Sequence, residues 1–297
     1  MLVAGFVNVE TQVKIERFPL EYQKSRFLFH GTSDGISGVA LNVTSALSRL
    51  GHEVQLATVL GEDLLGEVVV GELSRRGLHS NAGVRRDHNI STARTVVLSA
   101  ADGSDSMFTD LKNHQDYVWP EWQVKELVEG ARVVHATNIN WGLQFARAAR
   151  TAGIPVATDV HGLTTLEDAY NRRFLELADI VFFSAEKLGT PVEEFVRELF
   201  QRHPARLVVV GRGAQGAMAW ERGGEPIHLP ATPLRTVVSA TGCGDAMAAA
   251  FLSCHLRGFP VREALRRAQL FAGWKIGELG GSNGHLTRAR LDELAER

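Results

Sequence analysis

In SATGCGDAMAAAFL, residues 239 to 252, a glycine-rich turn runs directly into an apolar helical pattern that carries one carboxylate, Asp245, in its first turn. Gly242 and Gly244 let the backbone approach a ligand closely, and the N–H groups that open a helix have no intrahelical acceptors. The turn through Gly242, Cys243 and Gly244 is therefore a site for an anion, favoured further by the helix dipole. A carboxylate in that place does not bind an anion itself. Its chemistry there is to take the proton of a hydroxyl whose oxygen attacks a phosphate held by the N–H groups. Taken alone, the same residues also describe an acid that only complements a helix N-terminus.

The elements that must position this turn follow from the hydrophobic pattern. Residues 2 to 8 read as a buried strand, and TQVKIERFPL alternates apolar with polar residues (Val13, Ile15, Phe18), as a strand with a wet polar face does. Aromatic residues follow (Tyr22, Phe27, Phe29), and then HGTSDG, a turn-rich approach to a helix that begins near Ser37 and stops at Gly51. A strand over 53–61 precedes a helix that runs to Arg76 and Gly77. The stretch 92–110 reads as a hairpin about Asp102-Gly103, with the earlier alternating segment as its partner. From residue 120 the pattern is regular: helices over 120–129, 142–151, 170–177 and 192–202 alternate with strands in ARVVHAT, IPVATDV, DIVFFS and ARLVVVG. That alternation predicts a parallel sheet covered on both faces, with ligands at the carboxyl ends of its strands. Antiparallel strands about Gly223-Gly224 and helices over 244–257, 261–278 and 287–296 complete the chain.

Composition sets the outer bounds. With 297 residues, 44% of them hydrophobic, the chain buries a large core without staples. Two cysteines, Cys243 and Cys254, are too few for a disulfide framework and fit a reducing, cytoplasmic setting. A net charge of -2 with no basic block argues against a nucleic-acid partner. No basic leader opens the chain and no apolar run approaches a membrane span, so no membrane partner is expected.

With these pieces placed, two stretches carry a family resemblance. SGVALNVTSALSRLG, followed by GEDLLG, resembles the N-terminal signature of the ribokinase-like, or PfkB-type, carbohydrate kinases, and TGCGDAMAAAFL resembles their C-terminal signature. The likeness spans nearly the whole chain. It implies one ribokinase-like domain over 1–297: an α/β three-layer sandwich with a mostly parallel central sheet and a small β-sheet lid from about 11–36 and 92–110. The activity implied is transfer of the γ-phosphate of ATP, with Mg2+, to a hydroxyl of a small sugar, with a nucleoside of the adenosine, cytidine or pseudouridine type as the alternative acceptor.

Carried over by position, Asp245 is the general base and Gly242, Cys243 and Gly244 form the anion hole. Glu10, Gly38 and Asn42 fall where substrate hydroxyls are bound. GRGAQG, with Gly211, Gly213 and Gly216, resembles the nucleotide-phosphate loop, and Gln269 falls where adenine is lined. The sequence also departs from the family. FFSAEKL places Ser184 and Lys187 where the family often has Asn and Glu about the magnesium waters, which leaves Glu186 as the substitute metal-side carboxylate, acting through water. Ser239 replaces an acidic residue often associated with a monovalent-cation site, so a need for potassium stays open. These departures admit a second class of reading, a non-catalytic relative that binds sugar and nucleotide. His161 reads as structural, and Cys243, although at a helix N-terminus, as a small-residue replacement. The apolar residues of the lid segments (Val13, Ile15, Phe29, Val97, Phe108) need a partner outside the main core, which predicts a homodimer through the lid.

Overall fold

The structure, a computed structural model, describes residues 1–80, 82–102 and 104–297. Thirteen strands and nine α-helices are seen among them. The large sheet contains β1 (Leu2–Ala4), β4 (Gln55–Gly61), β5 (Val84–Asp87), β8 (Val134–Ala136), β9 (Val156–Gly162), β10 (Ile180–Ser184), β11 (Leu207–Gly211), β12 (Ala217–Glu221) and β13 (Ile227–Leu229). Their order is β13-β12-β11-β10-β9-β8-β1-β4-β5. All neighbours are parallel except at the β11-β12-β13 end, where the hairpin turns back through Gly223.

Period-2 alternation along the central strands explains the three layers. Phe182 and Val209 face the side covered by α1 (Val39–Arg49), α7 (Cys243–Leu256), α8 (Val261–Lys275) and α9 (Arg288–Ala295). Val181, Val208 and Val210 face the opposite side with Phe174 and Phe195, from α5 (Ala169–Leu175) and α6 (Val192–Arg202). On that same side α3 (Glu121–Val128) and α4 (Gly142–Thr151) bring Leu127 and Phe145 against Leu2 and Ala4. Helix α7 is buried on every side from Asp245 to Cys254, as a helix apolar all round must be. The remaining helix, α2 (Leu64–Arg75), is capped by Asp63, whose carboxylate accepts from Gly66 N at 2.8 Å.

A second sheet, ordered β3-β2-β6-β7, is built from β2 (Asn8–Ile15), β3 (Thr32–Ser37), β6 (Ala93–Ala100) and β7 (Asp105–Asp110). The expected pairing of the alternating segment with the hairpin is present as a parallel β2–β6 ladder. Gly103, half of the expected Asp102-Gly103 turn, lies outside the described residues.

Several expectations are corrected here. Residues 2–8 are not one strand: β1 ends at Ala4 and the chain crosses into the second sheet at Asn8. Gly5 lies so close to Thr137 that a Cβ would sit 2.1 Å from its Oγ1. The segment TSDGIS, read as a turn, is strand β3, a polar edge strand with no alternation to betray it. β5 was not expected either. The polar face of β2 is not wet: Asn8, Glu10 and Gln12 are buried, while Val9, Thr11 and Val13 are only half-buried. Val97 is fully buried, whereas Phe29 is 90% and Phe108 61% exposed.

Candidate active site

The carboxyl ends of β9, β10 and β11 lie side by side, with Ser184 in register with both Gly162 and Gly211. The second sheet stands over them, and between the two is a cleft of about 810 Å³. All thirteen residues singled out in the sequence line it: Glu10, Gly38, Asn42, Ser184, Glu186, Gly211, Gly213, Gly216, Gly242, Cys243, Gly244, Asp245 and Gln269.

Helix α7 begins at the floor of this cleft. Gly242 is its N-cap at φ 77°, and Asp245 follows within the first turn, only 9% exposed. Asn42 from α1 donates through Nδ2 to Asp245 Oδ2 at 2.7 Å, and Ser37 Oγ donates to Asn42 Oδ1 at 3.4 Å. The Asp245 carboxylate is thereby held from the helix that follows β3. Burial, and next the negative charge of Asp159, push its pKa up to about 6, against the opposing effects of the Asn42 hydrogen bond, His161 and Lys275. A carboxylate poised near neutrality and fixed by an amide is suited to accept a proton.

The glycines differ in what requires them. A Cβ on Gly242 would come within 2.5 Å of Gly281 Cα, and one on Gly216 within 2.1 Å of Leu229 O, so both are demanded by packing as well as by positive φ. Gly244 and Gly213 have nothing within 4 Å of such a Cβ. Their open faces leave room for a ligand to approach the backbone. Burial raises the Cys243 thiol to about 11, so helix position does not make it a thiolate at neutral pH.

At the other end of the cleft the underside of the second sheet carries a group of polar side chains beside Met107. Gln12 Nε2 donates to Glu10 Oε1 at 3.0 Å, Asn8 Nδ2 donates to Thr95 Oγ1, and Thr95 pairs with Thr109 at 3.1 Å. Glu10 thus sits within a strand of the second sheet, not after a strand of the main one. Ser184 and the exposed Glu186 occupy the rim, joined by Glu186 N donating to Ser184 Oγ at 3.3 Å. Gln269 is buried, and its Nε2 donates to Leu229 O at 3.3 Å.

The sequence reading missed several lining residues. Asp159, midway along β9, is buried, lines the cleft and accepts from His161 N at 2.8 Å. The available signal was a carboxylate within a strand of the parallel sheet. His161, expected to be structural, also lines the cleft and has a positive φ of 54°, a strained backbone for a residue with a Cβ. Gln115, Asn138 and Tyr170 form a third group, with Tyr170 OH donating to Asn138 O at 2.6 Å and Gln115 Nε2 donating to Tyr170 OH at 3.0 Å. They come from connecting segments and one short helix, where no periodicity marks them.

The family model of the pfkB family carbohydrate kinases matches residues 8–288. The chain belongs to that family. It is 28% identical to the acarbose 7(IV)-phosphotransferase of an Actinoplanes species, over 98% of this chain and 96% of that enzyme. It is equally 28% identical to the ribokinase of Arabidopsis thaliana, over 90% of this chain and 73% of that one. Among solved structures, a microbiome-derived acarbose kinase superposes with a TM-score of 0.88 at 28% identity, covering 100% of this chain and 98% of that chain. The Arabidopsis thaliana ribokinase complexed with ribose and ATP superposes with a TM-score of 0.83 at 25% identity, covering 100% and 98%. The protein is a ribokinase-family kinase, a phosphotransferase with an alcohol group as acceptor. Among the described residues no helix is long and apolar enough to cross a membrane.

Proposed function

We propose that this kinase transfers the γ-phosphate of ATP to a hydroxyl of a small sugar, with Asp245 as general base. The observation that carries the reading is the Asn42–Asp245 pair beside an open glycine turn, on the floor of a cleft whose roof includes Asn8, Glu10, Thr95 and Thr109. The acceptor hydroxyl lies against Asp245 with the sugar beneath Asn8, Glu10 and Thr95. As its oxygen bonds to the γ-phosphorus its proton passes to Asp245, the bond to the β-phosphate oxygen breaks, and ADP leaves. The N–H groups of Gly242, Cys243 and Gly244 face the charge that develops. Gly211 and Gly213 give the nucleotide phosphates close backbone approach. Gly216 and Gln269 shape that end of the cleft by their contacts with Leu229.

Among the described residues no group of three or more His, Cys, Asp or Glu side chains could hold a metal ion. Magnesium would arrive with the nucleotide phosphates and water, as it commonly does. Glu186 on the rim and Asp159, also in the lining, would hold its water shell, and the ion would neutralise phosphate charge.

A sugar is favoured by the amide, carboxylate and hydroxyl groups of Asn8, Glu10, Thr95 and Thr109 in the roof, while Phe6, Met107 and Leu111 in the same lining keep a nucleoside as the alternative acceptor. The free thiols of Cys243 and Cys254 support a reducing, cytoplasmic setting. The exposed Phe108 of β7 supports pairing of two copies through the lid. The test is ADP release with and without magnesium across a panel of pentoses, hexoses, acarbose and nucleosides. Turnover confined to nucleosides would refute the sugar reading, and no acceptor-dependent ADP release from folded protein would refute the kinase reading.

A further inference from the structure

Lys275, the last residue of α8, is 0% exposed and is among the largest fully buried side chains of the molecule. Burying an ammonium group costs several kcal/mol unless its surroundings repay it, and a methionine of similar length would fill the same space without that penalty. Among the described residues one acceptor is found for its three N–H donors, the carbonyl oxygen of Glu278 at 3.0 Å. The carboxylate of Glu278 is turned to Arg235, with which it pairs at 3.2 Å. The mechanism above gives this buried charge no work.

Its position suggests what the charge acts on. Ile276, the next residue, accepts through its carbonyl oxygen from Val238 N at 2.9 Å and Ser239 N at 3.1 Å, so the segment leading into the anion-binding turn hangs from the end of α8. The loop that begins at Gly277 then returns Gly281 into contact with Gly242, and Gly281 in turn lies against the amide of Asn42. Lys275 therefore sits where α8, the loop after it and the turn at the start of α7 meet. The charged and titratable groups whose fields reach it are Cys243 and Asp245 from α7, Glu278 and His285 from the following loop, and Glu10 from β2. Burial lowers the Lys275 pKa, and Cys243, Glu278, Glu10 and Asp245 oppose that loss. His285 is pushed down to about 3 by burial and then by Lys275, so it brings no competing positive charge near neutral pH.

We propose that the Lys275 ammonium is a tethered cation behind the anion-binding turn. It supports the turn's positive potential during phosphoryl transfer and keeps Asp245 ionised, so that the enzyme needs no added monovalent cation. The same charge favours both the phosphate in front of the turn and the carboxylate beside it, and the end of α8 favours a cation at this place through its own dipole. Lys275 touches no reacting atom in this scheme and acts as a positioning and electrostatic residue. The proposal rests on the kinase reading for its rate effects, and its consequence for anion binding can be read separately.

The experiment uses the full chain, wild type and Lys275→Met, with Lys275→Ala as a second variant. Choline chloride is exchanged for potassium chloride at constant ionic strength. Wild-type turnover is expected to be unchanged by the exchange. Lys275→Met should lose roughly 10- to 100-fold in turnover, below the 10²- to 10³-fold of a direct oxyanion donor. Acceptor KM should stay within about twofold, and the acid limb of its pH–rate profile should move to higher pH. Lys275→Ala, with space at the site, should recover part of its rate with ammonium or potassium but not with choline. The separate readout is the rise in melting temperature caused by inorganic phosphate, which should be smaller in Lys275→Met than in wild type. Should wild type phosphorylate no acceptor while that phosphate effect still depends on Lys275, the kinase reading fails and the cation's support of the turn stands. Potassium activation of wild type would overturn the proposal. So would a Lys275→Met enzyme whose losses track its folded fraction, with an unmoved acid limb and an unchanged phosphate effect, since that is the behaviour of a clamp on the loop.

Discussion

Asp245→Asn should produce an enzyme that is more stable and nearly inactive. The carboxylate is moved from an ordinary pKa of 3.8 to about 6, and two units correspond to about 3 kcal/mol between its protonation states. Because the folded-state pKa is raised, the folded protein binds this proton more tightly than the unfolded chain does. The destabilisation is therefore full above about pH 6 and disappears as pH falls through the window toward 3.8. Asparagine carries no charge and keeps an oxygen for the amide of Asn42, so it removes the penalty and leaves the hydrogen bond. For 297 residues, at about 2.1 cal/mol/K of unfolding entropy per residue, 3 kcal/mol is roughly 5 °C of melting temperature. The assay is thermal unfolding of both proteins at about pH 8 and about pH 4, beside turnover at saturating acceptor. We expect a gain of about 2–5 °C at the higher pH that vanishes at the lower one, with turnover down about 10²- to 10⁴-fold. In the wild type the rate should fall as pH drops through about 6. A variant that melts lower at the higher pH, or gains equally at both, would show that Asp245 is not held as a penalised carboxylate.

Four further outcomes follow from the geometry. Asn42→Ala removes the hydrogen bond that orients and helps ionise Asp245. It should lower turnover about 10- to 100-fold and shift the acid limb of the pH–rate profile upward, with steady-state rates across pH as the check. Gly244→Val should lower turnover while leaving the melting temperature near wild type, because its Cβ meets no protein atom, whereas Gly242→Ala should lower the melting temperature through contact with Gly281. Glu186→Gln should raise the magnesium concentration for half-maximal rate and leave acceptor KM unchanged; a wild-type magnesium dependence would assign the ion to nucleotide and water alone. Sedimentation at micromolar protein should show a dimer for the wild type and a monomer for Phe108→Asp, and a wild-type monomer would remove the lid pairing.

The parallel core and the glycine turn before Asp245 were legible because both are written locally. The helices over 142–151 and 192–202 start and stop within their predicted bounds, and the glycines before Asp245 open α7 as expected. The lid was legible as strands but not in its facing. Alternation in β2 reports that two faces differ, and it cannot say that the sheltered face borders a cleft lined by Asn8 and Glu10 instead of an apolar core. Edge strand β3 is polar throughout its exposed half, so it leaves no periodic trace. Asp159 was passed over because one carboxylate in a strand has no spacing to mark it. Lys275 was invisible for a different reason: in a helical pattern it reads as a last-turn cation, and only the packing of the loop after α8 against the start of α7 buries it.

The path of the chain between the two sheets has a mechanical consequence. β1 passes into β2 across Gly5–Val7, and β3 passes into α1 through Gly38, whose Cβ would strike Phe6 O at 2.7 Å. The second sheet and the helix that carries Asn42 to Asp245 are thus joined at one close crossing of the chain. Any displacement of the second sheet would therefore be felt at the residues that hold Asn42 to Asp245, so the two sheets and the start of α7 are tied together at this one point.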